Sequence, residues 1–337
     1  QNYEWNHPPE YLVTDVSVRQ KTGKTGMLKL YATQSFSKMS LNRANLNNDG
    51  QLTAYDLRNN NLYINGSWQT MAGEKWFYRT GLSVTENRDR VQYGVADFRE
   101  TLRGLHYKNV LTHEITDKIK LRMGADIFAR EYRSQFTENT DNFDNKYDEN
   151  LLATFAEAEV YLSNRFVARA GGRLEYSDYL EKTTVSPRIS TAYKFDDHSQ
   201  LSLGYGWFYQ NPLDEYLLYT RNVKPERADH YILTFQSKKN KRILRSELYY
   251  KDYKDLVKTD PDIFYLPMAY NNSGSGYAYG LDVFWRDNKT FRNAEYWVSY
   301  GYVDSERDFR DYPYAATPSF TSKHNLSVVV KYWIDEI

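Results

Sequence analysis

The sequence predicts an all-β fold, a transmembrane antiparallel β-barrel, and three observations carry that expectation. Apolar and polar residues alternate strictly through segments of about ten residues, the period of a strand. The second face of those segments is charged or small. The connections between segments alternate in length.

The stretch LSLGYGWFYQNP (201–212) shows the first observation. Leu201, Leu203, Tyr205, Trp207 and Tyr209 form one face, and Ser202, Gly204, Gly206, Phe208 and Gln210 the other. Taken in order, about fifteen such segments run over 11–20, 27–37, 61–71, 75–86, 105–115, 118–131, 151–163 and 165–178, then 186–195, 199–210, 228–237, 241–253, 276–287, 294–304 and 321–334. In 75–86, Trp76, Tyr78, Thr80, Leu82 and Val84 oppose Phe77, Arg79, Gly81, Ser83 and Thr85. In 118–131, Ile119, Leu121, Met123, Ala125 and Ile127 oppose Lys120, Arg122, Gly124, Asp126 and Phe128. In 276–287, Tyr279, Leu281, Val283 and Trp285 oppose Gly280, Asp282, Phe284 and Arg286.

These segments exceed the usual soluble strand of about five or six residues and suit a tilted membrane strand of about 9–11. Arg169, Arg173 and Glu175, or Arg245, Glu247 and Lys251, make the second face wet. One apolar face, one wet face and aromatics near the ends are the marks of an outer-membrane barrel. Short joins are expected at 71–75, 116–117, 163–165, 196–199, 237–241 and 287–293. Longer ones are expected at 38–60, 86–104, 131–150, 177–185, 211–227, 253–275 and 304–320, as in barrels with short periplasmic turns and long extracellular loops.

Composition agrees. Of 337 residues, 32 are Tyr, 16 Phe and 7 Trp, which favours interfaces. Mean hydropathy is −0.77, and no apolar run of about 18 residues offers a membrane helix. Lys plus Arg and Asp plus Glu are both 44, so nothing favours a nucleic-acid partner. No cysteine is present, which excludes disulfides and thiol catalysis. No linker or repeat divides 1–337, so one domain is expected.

SPRISTAYKF (186–195), LSLGYGWFYQNP, KPERADHYILTF (224–235) and YAYGLDVFW (277–285) resemble the barrel of a TonB-dependent outer-membrane receptor. ARAGGRLEYS (168–177) and PSFTSKHNLSVVVKYW (318–333) are similar to that family too, with a Bacteroidetes-type flavour. The resemblance implies TonB-driven import of a scarce nutrient across the bacterial outer membrane, no enzymatic activity, and outer-membrane lipid as surroundings. It implies a barrel of twenty-two strands around an N-terminal plug that reaches the TonB complex, and leaves open a surface-lipoprotein partner. About fifteen strands do not close such a barrel, and an open edge in lipid leaves backbone groups unsatisfied. The expectation is therefore a barrel segment, with plug and final strands outside this chain. A passive porin or a barrel enzyme is the alternative.

Four groups of residues are candidates for chemistry. NLNNDGQLTAYD (45–56) places Asn45, Asn47, Asp49, Gln51 and Asp56 at positions 1, 3, 5, 7 and 12 of a calcium loop, with Gly50 at the sharp turn. Asn replaces the usual first Asp, Asp replaces the final Glu, and a plain Asn-Asp-Gly turn is the alternative. No cofactor is otherwise expected. The acid-rich stretch 131–150 reads as a solvated loop that could gather cations. Tyr265, Tyr270, Tyr277 and Tyr279 with Asn271 and Asn272 could stack on a sugar or flat ligand, or serve as interface aromatics. His7, His106, His113, His198, His230 and His324 show no metal-ligand spacing, and nothing favours a Ser–His–acid site.

Overall fold

The computed structural model describes residues 3–44 and 52–334. Its strands are β1 (Tyr3–Thr22), β2 (Gly26–Ala44), β3 (Leu52–Ala72), β4 (Trp76–Tyr93), β5 (Ala96–Thr116), β6 (Ile119–Glu138), β7 (Asp141–Tyr161), β8 (Phe166–Ser177), β9 (Lys182–Lys194) and β10 (Ser199–Gln210). A one-turn helix, α1 (Asp214–Leu217), precedes β11 (Glu226–Lys239), β12 (Arg242–Thr259), β13 (Tyr270–Asp287), β14 (Ala294–Asp308) and β15 (His324–Tyr332). All fifteen strands form one antiparallel sheet in sequence order. Each expected segment coincides with one strand.

Alternation decides which face meets lipid, because cross-strand partners share a face. Leu203 lies opposite Leu233, and Leu233 opposite Leu248. Tyr205 lies opposite Tyr231, and Tyr231 opposite Tyr250, with ring centroids 4.8 and 6.1 Å apart. Tyr279 continues this belt beside Tyr250 and touches Tyr302 at 6.4 Å. Toward the opposite strand ends Trp285 donates to the Tyr296 hydroxyl at 3.4 Å. Between the two belts Leu203, Leu248, Leu326 and Val328 stay exposed, as do Ile64, Leu82 and Ile127 on the earlier strands. An apolar surface this continuous requires lipid. Facing it inward are Ser202, Gly204 and Thr234, whose hydroxyl donates to Glu247 at 3.1 Å.

At one end of the sheet all connections are turns, at 23–25, 73–75, 117–118, 162–165, 195–198, 240–241 and 288–293. Asn240 and Lys241 both adopt positive φ (53° and 59°), the two-residue turn whose twist matches a hairpin. The other end differs from expectation. The segments 86–104 and 131–150 are not loops: β4 and β5 run on to a two-residue turn at Gly94-Val95, and β6 and β7 to one at Asn139-Thr140. Over 38–60, β2 continues to Ala44 and β3 begins at Leu52. Polar cross-strand pairs replace apolar packing there, as in Arg90–Asp97 at 2.8 Å and Arg133–Asp144 at 2.5 Å. The hydrogen-bond ladder thus continues into water, after the apolar signal has ended. Long connections remain at 211–225, 260–269 and 309–323.

The packed core lies at this loop end, on the inner face. Tyr132 and Tyr147 of β6 and β7 meet Tyr179, Leu217, Val223, Val257 and Tyr270. Residues from β6 through β13 reach one cluster only because the sheet curls.

Candidate ligand site at the loop end

The site begins where β10 stops. Pro212 has no N–H to give the ladder and ends the strand. The chain then crosses the inner face toward β6 and β7. Asn211 donates to Glu149 at 2.6 Å, and Tyr147 donates to Asp214 at 2.5 Å. Arg130 lies 2.7 Å from Glu149 and 2.8 Å from Asp214, joining the wall to this strap. Leu217, fully buried, plugs the rim cluster, and its carbonyl accepts the Tyr179 hydroxyl at 2.5 Å. The Glu149 carboxylate is itself fully buried and also accepts from Ser177 at 2.5 Å. A buried carboxylate with donors from Arg130, Ser177 and Asn211 keeps its charge compensated.

Between the strap (209–214) and the inner wall of β4–β8 lies a cleft of about 730 Å³. Ser83, Thr85, His106, Phe128 and Glu175 line the wall side. His106 stacks on Phe128 with centroids 3.8 Å apart, and its Nε2 lies 3.2 Å from Asp126. Asp126, 2% exposed, accepts in addition from Arg173 at 2.5 Å, and Lys108 stands 3.2 Å away. Cations and carboxylates of the wall neutralise one another, so the cleft offers aromatic faces and hydrogen-bonding edges rather than a net field.

Above the cleft runs an aromatic ladder. Phe143 stacks on Tyr219 at 5.7 Å, Tyr219 on Tyr270 at 6.2 Å, and Tyr216 leans on Tyr270 at 5.4 Å. Burial pushes the Tyr216 hydroxyl up to about 12, so it remains a hydrogen-bond donor at neutral pH. Stacked rings with one polar tip suit a flat or sugar-bearing organic ligand.

Residues 2–335 match the model of the TonB dependent receptor-like β-barrel. The chain belongs to that family. It is a β-barrel protein of the bacterial outer membrane. Its fold is similar to the ferric yersiniabactin uptake receptor FyuA of Yersinia pestis (TM-score 0.72, 11% identity, 99% of this chain, 60% of that one). It is also similar to the outer membrane transporter YddB of Escherichia coli (TM-score 0.64, 13% identity, 89% and 55%). The RagAB peptide importer gives a TM-score of 0.66 at 9% identity over 89% and 46%. The chain thus spans about half the length of these structures. No curated protein matches it by sequence.

The residues singled out in sequence distribute unevenly over this barrel. Asn45, Asn47, Asp49 and Gln51 lie outside the described residues; Asp56 sits within β3, paired with Ser40 and Gln92. Among the described residues no group of three His, Asp or Glu is placed to hold a metal ion. The tyrosine–asparagine group divides. Tyr270 joins the inner ladder, while Tyr277 and Tyr279 stack on the lipid side at 5.9 Å. Asn272 clasps the far end of the 211–225 connection, donating to the Lys224 carbonyl at 2.9 Å and accepting its N–H at 2.8 Å. Among the described residues no serine hydroxyl bonds a histidine ring; His324 bonds Tyr300 at 2.9 Å and His113 stacks on Trp76. Sequence reasoning placed Tyr147 and Glu149 in a solvated loop, where the structure has them on the inner face of β7, and missed Arg130 and Asp214. A signal existed: Arg130 and Glu149 are equidistant from the Asn139-Thr140 turn, so a hairpin centred there pairs them.

Proposed function

We propose that this barrel belongs to a receptor that actively imports a nutrient ligand, energised through TonB. The observation that carries the reading is the cleft closed on one side by the Glu149-anchored strap, beneath an aromatic rim. Ligand binds between rim and cleft from the extracellular side. A plug contributed by the rest of the receptor then rearranges and lets it pass. Family membership and the transporter neighbours support this, as does the aromatic, charge-compensated lining of the cleft. The same receptor supplies strands to pair with β1 and β15, each of which has a single strand partner among the described residues. A surface lipoprotein over the rim is a partner to test, and peptides, which the RagAB importer takes, belong in the ligand mixture. Calcium at 45–56 remains part of the proposal: calorimetric titration should show calcium binding that Asp49→Ala abolishes, and no binding above millimolar affinity would leave a plain turn.

The test is uptake by cells bearing the intact receptor as sole importer, with and without TonB. Growth on a nutrient mixture should require both, and fractionating the mixture identifies the ligand. Uptake that persists without TonB would leave a passive pore. Tyr219→Ala and Phe128→Ala should each weaken ligand binding while heat-resistant folding is retained.

A further inference from the structure

Charge on the lipid-side face is banded. Beyond the apolar row of Ile64, Val84 and Leu105 comes a mixed row of Leu62, Glu86, Arg103, Glu131 and Asp148, and beyond that the outward residues of β2–β7 form two successive rows set by an unbroken register. The upper row reads Lys38, Arg58, Arg90, Arg99, Gln135 and Asp144, each opposite the next. The lower row reads Phe36, Asn60, Arg88, Thr101, Arg133 and Lys146. Seven of these twelve positions are cationic, and only Asp144 is acidic. Like charges directly opposite destabilise a sheet, yet Lys38, Arg58, Arg90 and Arg99 stand side by side on four consecutive strands.

Internal compensation is incomplete. Lys38 pairs with Glu10 at 3.1 Å, Arg133 with Asp144, Arg88 with Glu86, and Lys146 with Glu131 at 3.5 Å. Arg90 and Arg99 share one carboxylate, Asp97. Among the described residues Arg58 has no ion-pair partner. The side chains remain accessible: Arg88 is 56% exposed and Arg99 52%. Arg88 and Arg90 stand roughly 13 and 20 Å along the strand beyond Val84, less in height because strands tilt. That is where headgroups begin above the acyl layer. The four-residue row spans about 15 Å, enough for two phosphate groups.

We infer that this row binds the phosphate groups of a phosphorylated glycolipid in the outer leaflet. The inference rests on the loop end being extracellular and is independent of the imported ligand. Arginine forks accept phosphate oxygens in pairs, and Arg58 with the half-compensated Arg90 and Arg99 supplies the donors.

The experiment uses the intact receptor in nanodiscs containing phosphorylated lipid A, with native mass spectrometry counting retained glycolipid. Combined Arg58→Ser, Arg90→Ser and Arg99→Ser should lower retention about tenfold or more. Arg79→Ser, on the inner face of the same β4, should leave it unchanged. Dephosphorylated lipid A should be retained no better than the triple variant retains the phosphorylated form. If the triple variant does not fold, a salt titration of the unaltered receptor decides, since retention should fall steeply with ionic strength. Equal retention by variant and parent, equal binding of dephosphorylated lipid, salt-independent retention, or displacement by millimolar inorganic phosphate would each overturn the proposal.

Discussion

Arg130 of β6 and Glu149 of β7 face each other directly across the ladder, and their ion pair is the post to which the strap after β10 is tied. Glu149 is fully buried, so its loss leaves Arg130, Asn211 and Ser177 without their shared acceptor. Glu149→Ala should cost about 3–5 kcal/mol, the penalty for breaking a buried pair from one side. Glu149→Gln, which keeps an acceptor oxygen, should cost less. Amide exchange at 211–218 should quicken in the first variant before any global loss of the barrel; unchanged exchange would detach the strap from Glu149.

The faces of β10 give a second expectation. Leu203 points to lipid opposite Leu233, and Ser202 points inward opposite Thr234. Leu203→Arg should destabilise by about 2–4 kcal/mol near the midplane, and Ser202→Arg by clearly less. Trp207, packed beneath the Arg227 guanidinium at 3.9 Å, should be quenched by lipid-borne quenchers. Equal costs at 202 and 203 in reversible unfolding would exchange or abolish the faces.

Much of the barrel was legible in the sequence, for one physical reason. Where one face meets lipid and the other water, side-chain chemistry alternates, and all fifteen strand centres show it. Where the outer face leaves the acyl layer and both faces are polar, the alternation vanishes although hydrogen bonding continues. Lys38 through Arg43 and Arg88 through Gln92 therefore resemble loop, yet are strand. The site was less legible because Glu149 gains its meaning only from burial beneath Asn211, a residue 62 positions away. Tyr277 and Tyr270 read as one group, but parity sends them to opposite faces.

The turn between β9 and β10 predicts a pH effect. Asp196 accepts the backbone N–H groups of His198 and Ser199, both at 2.7 Å. The His198 amide bond, chief among these, holds its carboxyl below the usual carboxylate range. A depressed folded pKa means that the cap is fully present above the unfolded value and is lost as pH falls through the folded one. Amide protection at His198 and Ser199 should therefore persist at neutral pH and collapse only in strong acid, and Asp196→Ala should abolish it at every pH. Protection that survives in the alanine variant would assign it to the ladder alone.

Topology is decided by the two ends of the sheet. Lys239 closes β11 at the turn end, and Asp144 lies on the β6–β7 hairpin at the opposite end. If short turns are periplasmic, Lys238, Lys239 and Lys241 lie inside the outer membrane, and Asp144 lies outside with the long connections. The segment has no cysteine, which makes single-thiol probes clean where the rest of the receptor is also cysteine-free. Asp144 bonds Arg133 and Gln135 at an exposed, solvent-screened site, so its replacement should leave the barrel folded. Asp144→Cys should react on whole cells with a membrane-impermeant thiol reagent. Lys239→Cys should react only after the outer membrane is opened. The reverse pattern would invert the barrel, and with it the leaflet in which the row of Lys38, Arg58, Arg90 and Arg99 finds its phosphates.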